Sequence, residues 1–111
     1  MKYVACNLTA ELAPGTMTSV EVEGRTLLLA NVGGTYHAVS RKCTHMGENL
    51  CNGSLDGNIV TCPLHGARFD ITTGQAVGKA KLWLIPTMPK NLKSYPVKVE
   101  DQRILIGMDS G

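Results

Sequence analysis

The chain has 111 residues, 43% of them hydrophobic, and a formal net charge of +2. That length suits a single domain, 1–111, with a modest core, and leaves each half of a two-domain arrangement too thin. No apolar run approaches the roughly 18 residues of a membrane span, and the N-terminal "MKYVACNLTAELAPG" lacks the apolar stretch and cleavage site of a secretory signal, so a soluble cytoplasmic chain is expected.

In chain order, short β-like runs recur: "KYVAC", "TMTSVEV", "RTLLLAN", "TYHAVS", "NIVTC", "YPVKV" and "RILIGM". Their Val, Ile, Leu, Thr and Tyr content favours strands, and Gly24, Gly33–Gly34, Asp56–Gly57 and Asp101–Gln102 stand where hairpin turns are needed. Between the first two runs, "TAELAPG" allows one short helical turn capped by Thr9. No segment sustains a helical period over three turns, so the expected class is all-β, with an antiparallel β-sandwich-like base. Residues from about Cys43 to Gly78 are rich in Gly, Asn, Asp and Cys and poor in alternation. They read as an insertion between strands, with a backbone that wraps a cofactor instead of pairing continuously. "IPTMPKNLKSYP", with Pro86, Pro89 and Pro96, reads as a restricted extended loop returning to the last hairpin.

Residues 79–111 carry six basic side chains (Lys79, Lys81, Lys90, Lys93, Lys98, Arg103) against Glu100, Asp101 and Asp109. A solvated face is the expected reading, ahead of a docking patch for an acidic partner. Nucleic-acid binding is not expected, because the cations form no dense run and Trp83 and Tyr95 lack the interleaving of a base-stacking platform.

The chemistry concentrates in two mixed pairs, Cys43-x-His45 and Cys62-x-x-His65, sixteen residues apart and each beside a glycine, Gly47 and Gly66. Two thiolates and two imidazoles at chelating spacing point to a metal. Structural zinc accepts such a set, but its usual pattern groups like ligands together and places the histidines on a helix. Mixed pairs suit a [2Fe-2S] cluster whose irons are held by two cysteines and two histidines respectively, each loop supplying one ligand to each iron.

These motifs resemble those of the Rieske family. "CTHMG" and "CPLHGARFDITTG" are similar to its two cluster loops, "IPTMP" to its proline loop and "YPVKVEDQRILI" to its closing hairpin. The resemblance implies a Rieske-like fold with a small cluster-binding subdomain at about 41–80. It also implies one [2Fe-2S] cluster on Cys43, His45, Cys62 and His65. Replacing two thiolates by neutral imidazoles removes negative charge and raises the potential. Solvent-facing imidazole nitrogens, as the resemblance implies, would couple reduction to proton uptake at high pH.

The departures from the family are informative. Its quinol-oxidising members bridge their two cluster loops with a disulfide, at positions that here are Glu48 and Leu64. They also place hydroxyl donors where this chain has Ala67 and Phe69. Without those donors the potential is expected near the low end of the Rieske range, roughly −150 mV.

The expected function is therefore that of a ferredoxin passing single electrons from a reductase to an acceptor, in many relatives the oxygenase component of an aromatic-ring dioxygenase. The chain is not expected to be an enzyme. Its three histidines leave only His37 outside the cluster, too few for the two-histidine-one-carboxylate iron site of an oxygenase. His37 is expected to be structural or solvent-facing, and Cys6 and Cys51 to be reduced structural cysteines. Docking is expected at the cluster tip, formed by His45, Met46, Pro63, Leu64 and His65 with Pro86 and Met88 nearby. A monomer is expected. The alternatives are a small Rieske-like subunit of a larger reductase of the nitrite reductase type, and a structural zinc module.

Overall fold

The computed structural model describes residues 2–8, 12–42, 49–63, 66–78, 80–82, 85–87 and 90–108. The short turn expected in "TAELAPG" rests on Thr9, which lies outside them. β1 (Lys2–Ala5), β2 (Met17–Val22), β3 (Arg25–Val32) and β4 (Thr35–Ser40) are followed by a single 3-10 turn, Leu50–Asn52. Then come β5 (Ser54–Asp56), β6 (Ile59–Thr61), β7 (Arg68–Asp70), β8 (Ala76–Gly78), β9 (Ala80–Leu82), β10 (Ile85–Thr87), β11 (Ser94–Tyr95), β12 (Val97–Glu100) and β13 (Arg103–Met108).

All recorded strand pairs are antiparallel, as the all-β reading expected. The sheets run in the orders β1-β13-β12, β11-β4-β3-β2, β5-β6-β7-β8 and β10-β9. The sheet containing β3 is the middle layer. Leu28 and Ala30 of β3 and Val39 of β4 join Val60, Phe69 and Ile71 from the β5–β8 meander in one core. On the opposite face, Leu27, Leu29 and Ala38 join Ile104, Ile106 and Met108 from the β1-β13-β12 sheet in a second. A strand covered on both faces has no polar side to display, so β3 reads "TLLLA" without alternation. Leu28 and Leu29 are fully buried, each worth about 1.5–3 kcal/mol of apolar transfer.

Tight hairpins fix the register. The two-residue loops at 23–24, 33–34 and 101–102 have positive φ at both positions, between 50° and 98°, which matches strand twist. Asp56 pairs with Ile59, so the next hairpin turns on Gly57–Asn58, one residue later than Asp56–Gly57 suggested.

Three sequence expectations are corrected. The region expected to wrap a cofactor without continuous pairing holds the regular β5–β8 meander, whose three-residue strands are too short to display a period. The extended loop expected from Ile85 begins as a strand, β10, paired with β9. "YPVKV" is two strands: Tyr95 pairs with Ala38 in the middle sheet, whereas Val97 pairs with Ile106 in the outer one. Pro96 lies at the switch; it has no N–H for a ladder, and its carbonyl accepts from the Gly107 N–H at 2.8 Å.

Gly53 couples the meander to what precedes it. A Cβ at this position would overlap the Thr61 carbonyl oxygen, a backbone atom with no room to yield. Gly53→Ala should therefore displace β6 and cost about 1–3 kcal/mol, measurable as a lowered urea midpoint.

Candidate metal centre

The two mixed motifs are each bracketed by residues joined through backbone pairing. Lys42 and Asn49 form an isolated antiparallel bridge, and the Leu50 N–H donates to the Arg41 carbonyl at 2.9 Å. Asn49 Oδ1 accepts from the Cys51 N–H at 2.9 Å, starting the 3-10 turn that buries Leu50. This stem brackets positions 43–48, which include Cys43 and His45.

The second loop connects β6 to β7. Thr61 pairs with Arg68, and the Cys62 N–H donates to the Ala67 carbonyl at 2.7 Å. Cys62 is 2% exposed and sits in the same core as Leu50, Ala67 and Phe69. Both loop bases are thus held by one set of apolar contacts. Cys43, His45 and His65 lie outside the described residues, as do Met46, Leu64 and Met88 of the expected docking tip. Pro63 is exposed, and Pro86 lies in β10.

A third segment is tied to the same core from the C-terminal side. The Leu92 N–H donates to the Gly74 carbonyl at 2.7 Å, the Ala76 N–H to Asn91 Oδ1 at 2.9 Å, and the Ser40 N–H to the Lys93 carbonyl at 2.9 Å. Gly74 has φ +83°, and a Cβ there would overlap the Leu92 carbonyl oxygen. Glycine is required both by conformation and by close approach. Sequence reasoning missed the anchoring by Asn91 and Gly74, because neither residue type signals a partner so distant in the chain.

The remaining cysteines differ from Cys62. Cys51 is half-buried and packs against the same core, and Ser19 Oγ donates to its Sγ at 3.3 Å. Burial pushes its thiol up, against smaller opposing effects of the Ser19 hydrogen bond and the Arg41 charge, and so favours the neutral form. Cys6 packs against the other core. His37, on β4, is half-exposed and pairs with Ala30.

Asp70 organises the turn after β7. Its Oδ1 accepts from Thr72 Oγ1 at 2.6 Å and from the Thr72 N–H at 2.9 Å. The Thr72 hydroxyl bond chiefly holds the carboxyl below its usual value, assisted by the Thr72 N–H, Asn58 and the charge of His37 and opposed by slight desolvation. A lowered folded-state pKa means that the ionised carboxylate stabilises the fold above the ordinary carboxylate range. That contribution is lost as pH falls through the lowered value. Asp70→Ala should cost about 1 kcal/mol at neutral pH, and Asp70→Asn should flatten the acid limb of a stability–pH profile.

The donor chemistry fits an iron–sulfur cluster: the one predicted ligand described, Cys62, is a thiol withdrawn from water at the mouth of a closed loop, where a cluster sulfur environment is shielded.

Comparisons with known proteins agree. A family model described as the Rieske [2Fe-2S] domain matches residues 2–96. The naphthalene 1,2-dioxygenase system ferredoxin component of Pseudomonas aeruginosa is 36% identical over 107 residues, which cover 96% of each chain. The ferredoxin of carbazole 1,9a-dioxygenase from Nocardioides aromaticivorans superposes with a TM-score of 0.80 at 27% identity, covering 98% of this chain and 100% of that one. A complex of reduced oxygenase and oxidised ferredoxin in carbazole 1,9a-dioxygenase matches with a TM-score of 0.75 at 29% identity, covering 96% of this chain and 100% of the matched one.

The chain belongs to the Rieske [2Fe-2S] domain family. It is an electron carrier with one [2Fe-2S] cluster and not a catalytic subunit.

Proposed function

We propose that this chain is the ferredoxin of an aromatic-ring oxygenase system, taking single electrons from a reductase and delivering them to a terminal oxygenase in the cytoplasm. The observation that carries this is the match to a dioxygenase ferredoxin over 96% of both chains. No helix among the described residues is long and apolar enough to cross a membrane. Cys43 and Cys62 hold one iron and His45 and His65 the other, on a unit of about 41–80 within one domain, 1–111. The cluster supplies a one-electron couple; the protein supplies ligands, a dry pocket and a docking surface.

Ala67 and Phe69 are wholly buried and carry no hydroxyl, which supports a potential at the low end of the family range. Ala67→Ser should raise it. A donor worth about 1.5 kcal/mol more to the reduced state shifts a one-electron couple by roughly 60 mV.

The test is iron and sulfide analysis with EPR after dithionite reduction, then electron transfer with a purified reductase and oxygenase. About two irons and two sulfides per chain, with turnover dependent on this protein, is the expected result. One zinc with no sulfide in protein prepared anaerobically with ample iron would overturn the reading.

A further inference from the structure

Three cationic side chains gather at the foot of the first ligand loop. A cavity of about 420 Å³ is lined by Arg25, Thr26, Leu27, Ser40, Arg41, Lys42 and Tyr95. Three of these residues are cations and none is acidic. The β3–β4 pairing, which sets Leu27 opposite Ser40, brings Arg25 beside the Arg41–Lys42 stem. Lys42 both lines the cavity and closes the ligand loop through its bridge to Asn49.

The three cations that line the cavity are not neutralised within the described residues. Lys2 pairs with Glu23 at 2.9 Å and Lys98 with Glu100 at 3.1 Å, whereas Arg25, Arg41 and Lys42 make no ion pair there. Arg41 Nε is buried and has no hydrogen-bond partner. A buried guanidinium N–H left unsatisfied is costly, and converging like charges add to that cost. The like-charge penalty is relieved by an oxyanion seated among these cations, which accepts from their accessible N–H groups. Arg25 and Lys42 are exposed at the rim and Arg41 is half-buried within, so the site opens to molecules arriving from outside.

We propose that this cavity is a docking socket for a carboxylate side chain on the acidic face of a redox partner protein, seated beside the ligand loop. The assignment rests on the electron-carrier reading. The charge favours a protein acid over a free anion as the occupant. The cations extend from the cavity floor to its rim, a spread that meets several carboxylates of a surface. The chain's net charge of +2 steers an acidic partner toward it. Lys42 directly precedes Cys43, so a partner held here lies next to the loop that carries two of the proposed ligands.

The experiment measures stopped-flow electron transfer between the cluster-loaded protein and its purified reductase and oxygenase, from low to high salt. It compares Arg25→Glu and Arg41→Gln with Arg103→Glu, an exposed cation at the far hairpin. The expected result is that Arg25→Glu slows transfer with one partner at least tenfold at low salt and weakens its salt dependence. Arg41→Gln slows it less, Arg103→Glu leaves it within about twofold, and iron content and EPR spectrum are unchanged throughout. Equal rates for Arg25→Glu and Arg103→Glu would overturn the socket while leaving the carrier intact. So would calorimetric binding of inorganic phosphate that Arg25→Glu abolishes without slowing transfer, since that marks a small-anion site. A loaded parent protein that exchanges electrons with neither partner would overturn the carrier reading and the socket with it.

Discussion

Cys62→Ala should purify with iron and acid-labile sulfide reduced from about two each per chain to near zero, without the colour and EPR signal of the parent. The side chain is 2% exposed, and its backbone N–H is bound to the Ala67 carbonyl at 2.7 Å, so removing sulfur leaves the loop base paired. What is lost is a proposed ligand that no neighbour replaces. Cys51, the other cysteine in this core, is held by Ser19 and kept toward its neutral form by burial, whereas an iron ligand must be a thiolate. Cys51→Ala should therefore retain a full cluster. Cluster loss in Cys51→Ala, or a normal cluster in Cys62→Ala, would require a different ligand set. The same comparison applied to Cys43, His45 and His65 should give loss at each position, and in these variants thermal stability should fall along with metal content, because cluster binding and folding are coupled.

The second large effect is on stability. Phe69 is fully buried, pairs with Val60 across the β6–β7 ladder, and sits two residues beyond Ala67 at the base of the second ligand loop. Phe69→Ala removes the largest fully buried side chain among the described residues, from a core that also holds Leu50 and Cys62. The expected cost is about 3–5 kcal/mol, combining lost transfer energy with the cavity left behind. For a domain of this size that lowers the melting temperature by upwards of about 12 °C and consumes much of the marginal stability such domains have. Because the same contacts hold both loop bases, the cluster should bleach together with the unfolding transition and at lower temperature than in the parent. Phe69→Leu, which keeps most of the volume, should recover more than half of the loss. A melting temperature within 2–3 °C of the parent for Phe69→Ala would show that the loop bases are held by something other than this core.

Charge was the feature least accessible from the linear sequence. The basic stretch 79–111 was expected to be a solvated face ahead of a docking patch for an acidic partner; Lys98 of that stretch is paired with Glu100 and lies 4.3 Å over the Tyr3 ring. The cavity draws together Arg25 and the Arg41–Lys42 pair, which are distant in sequence but adjacent at the open end of the β3–β4 hairpin. A run of charge along the chain says little about its density in space, since strand pairing joins residues far apart in sequence and separates near neighbours onto opposite faces.

The proposed ligand pattern is drawn from the sequence because chelation is local: each pair is confined to four residues or fewer, and the mixture of thiol with imidazole restricts the metal by donor chemistry alone. The long strands β2, β3, β4 and β13 were legible for a similar reason, as six to eight residues display a pattern and turn residues bound them. Tertiary structure decided the rest. Strands of three residues cannot announce a period: of the β5–β8 meander only β6, within "NIVTC", was readable, and β5, β7 and β8 are defined by their partners. Pro96 moves the chain between sheets because the two cores pull Tyr95 and Val97 toward different layers. Gly53 and Gly74 matter because another strand or loop passes within contact of them, a proximity that only the folded chain creates.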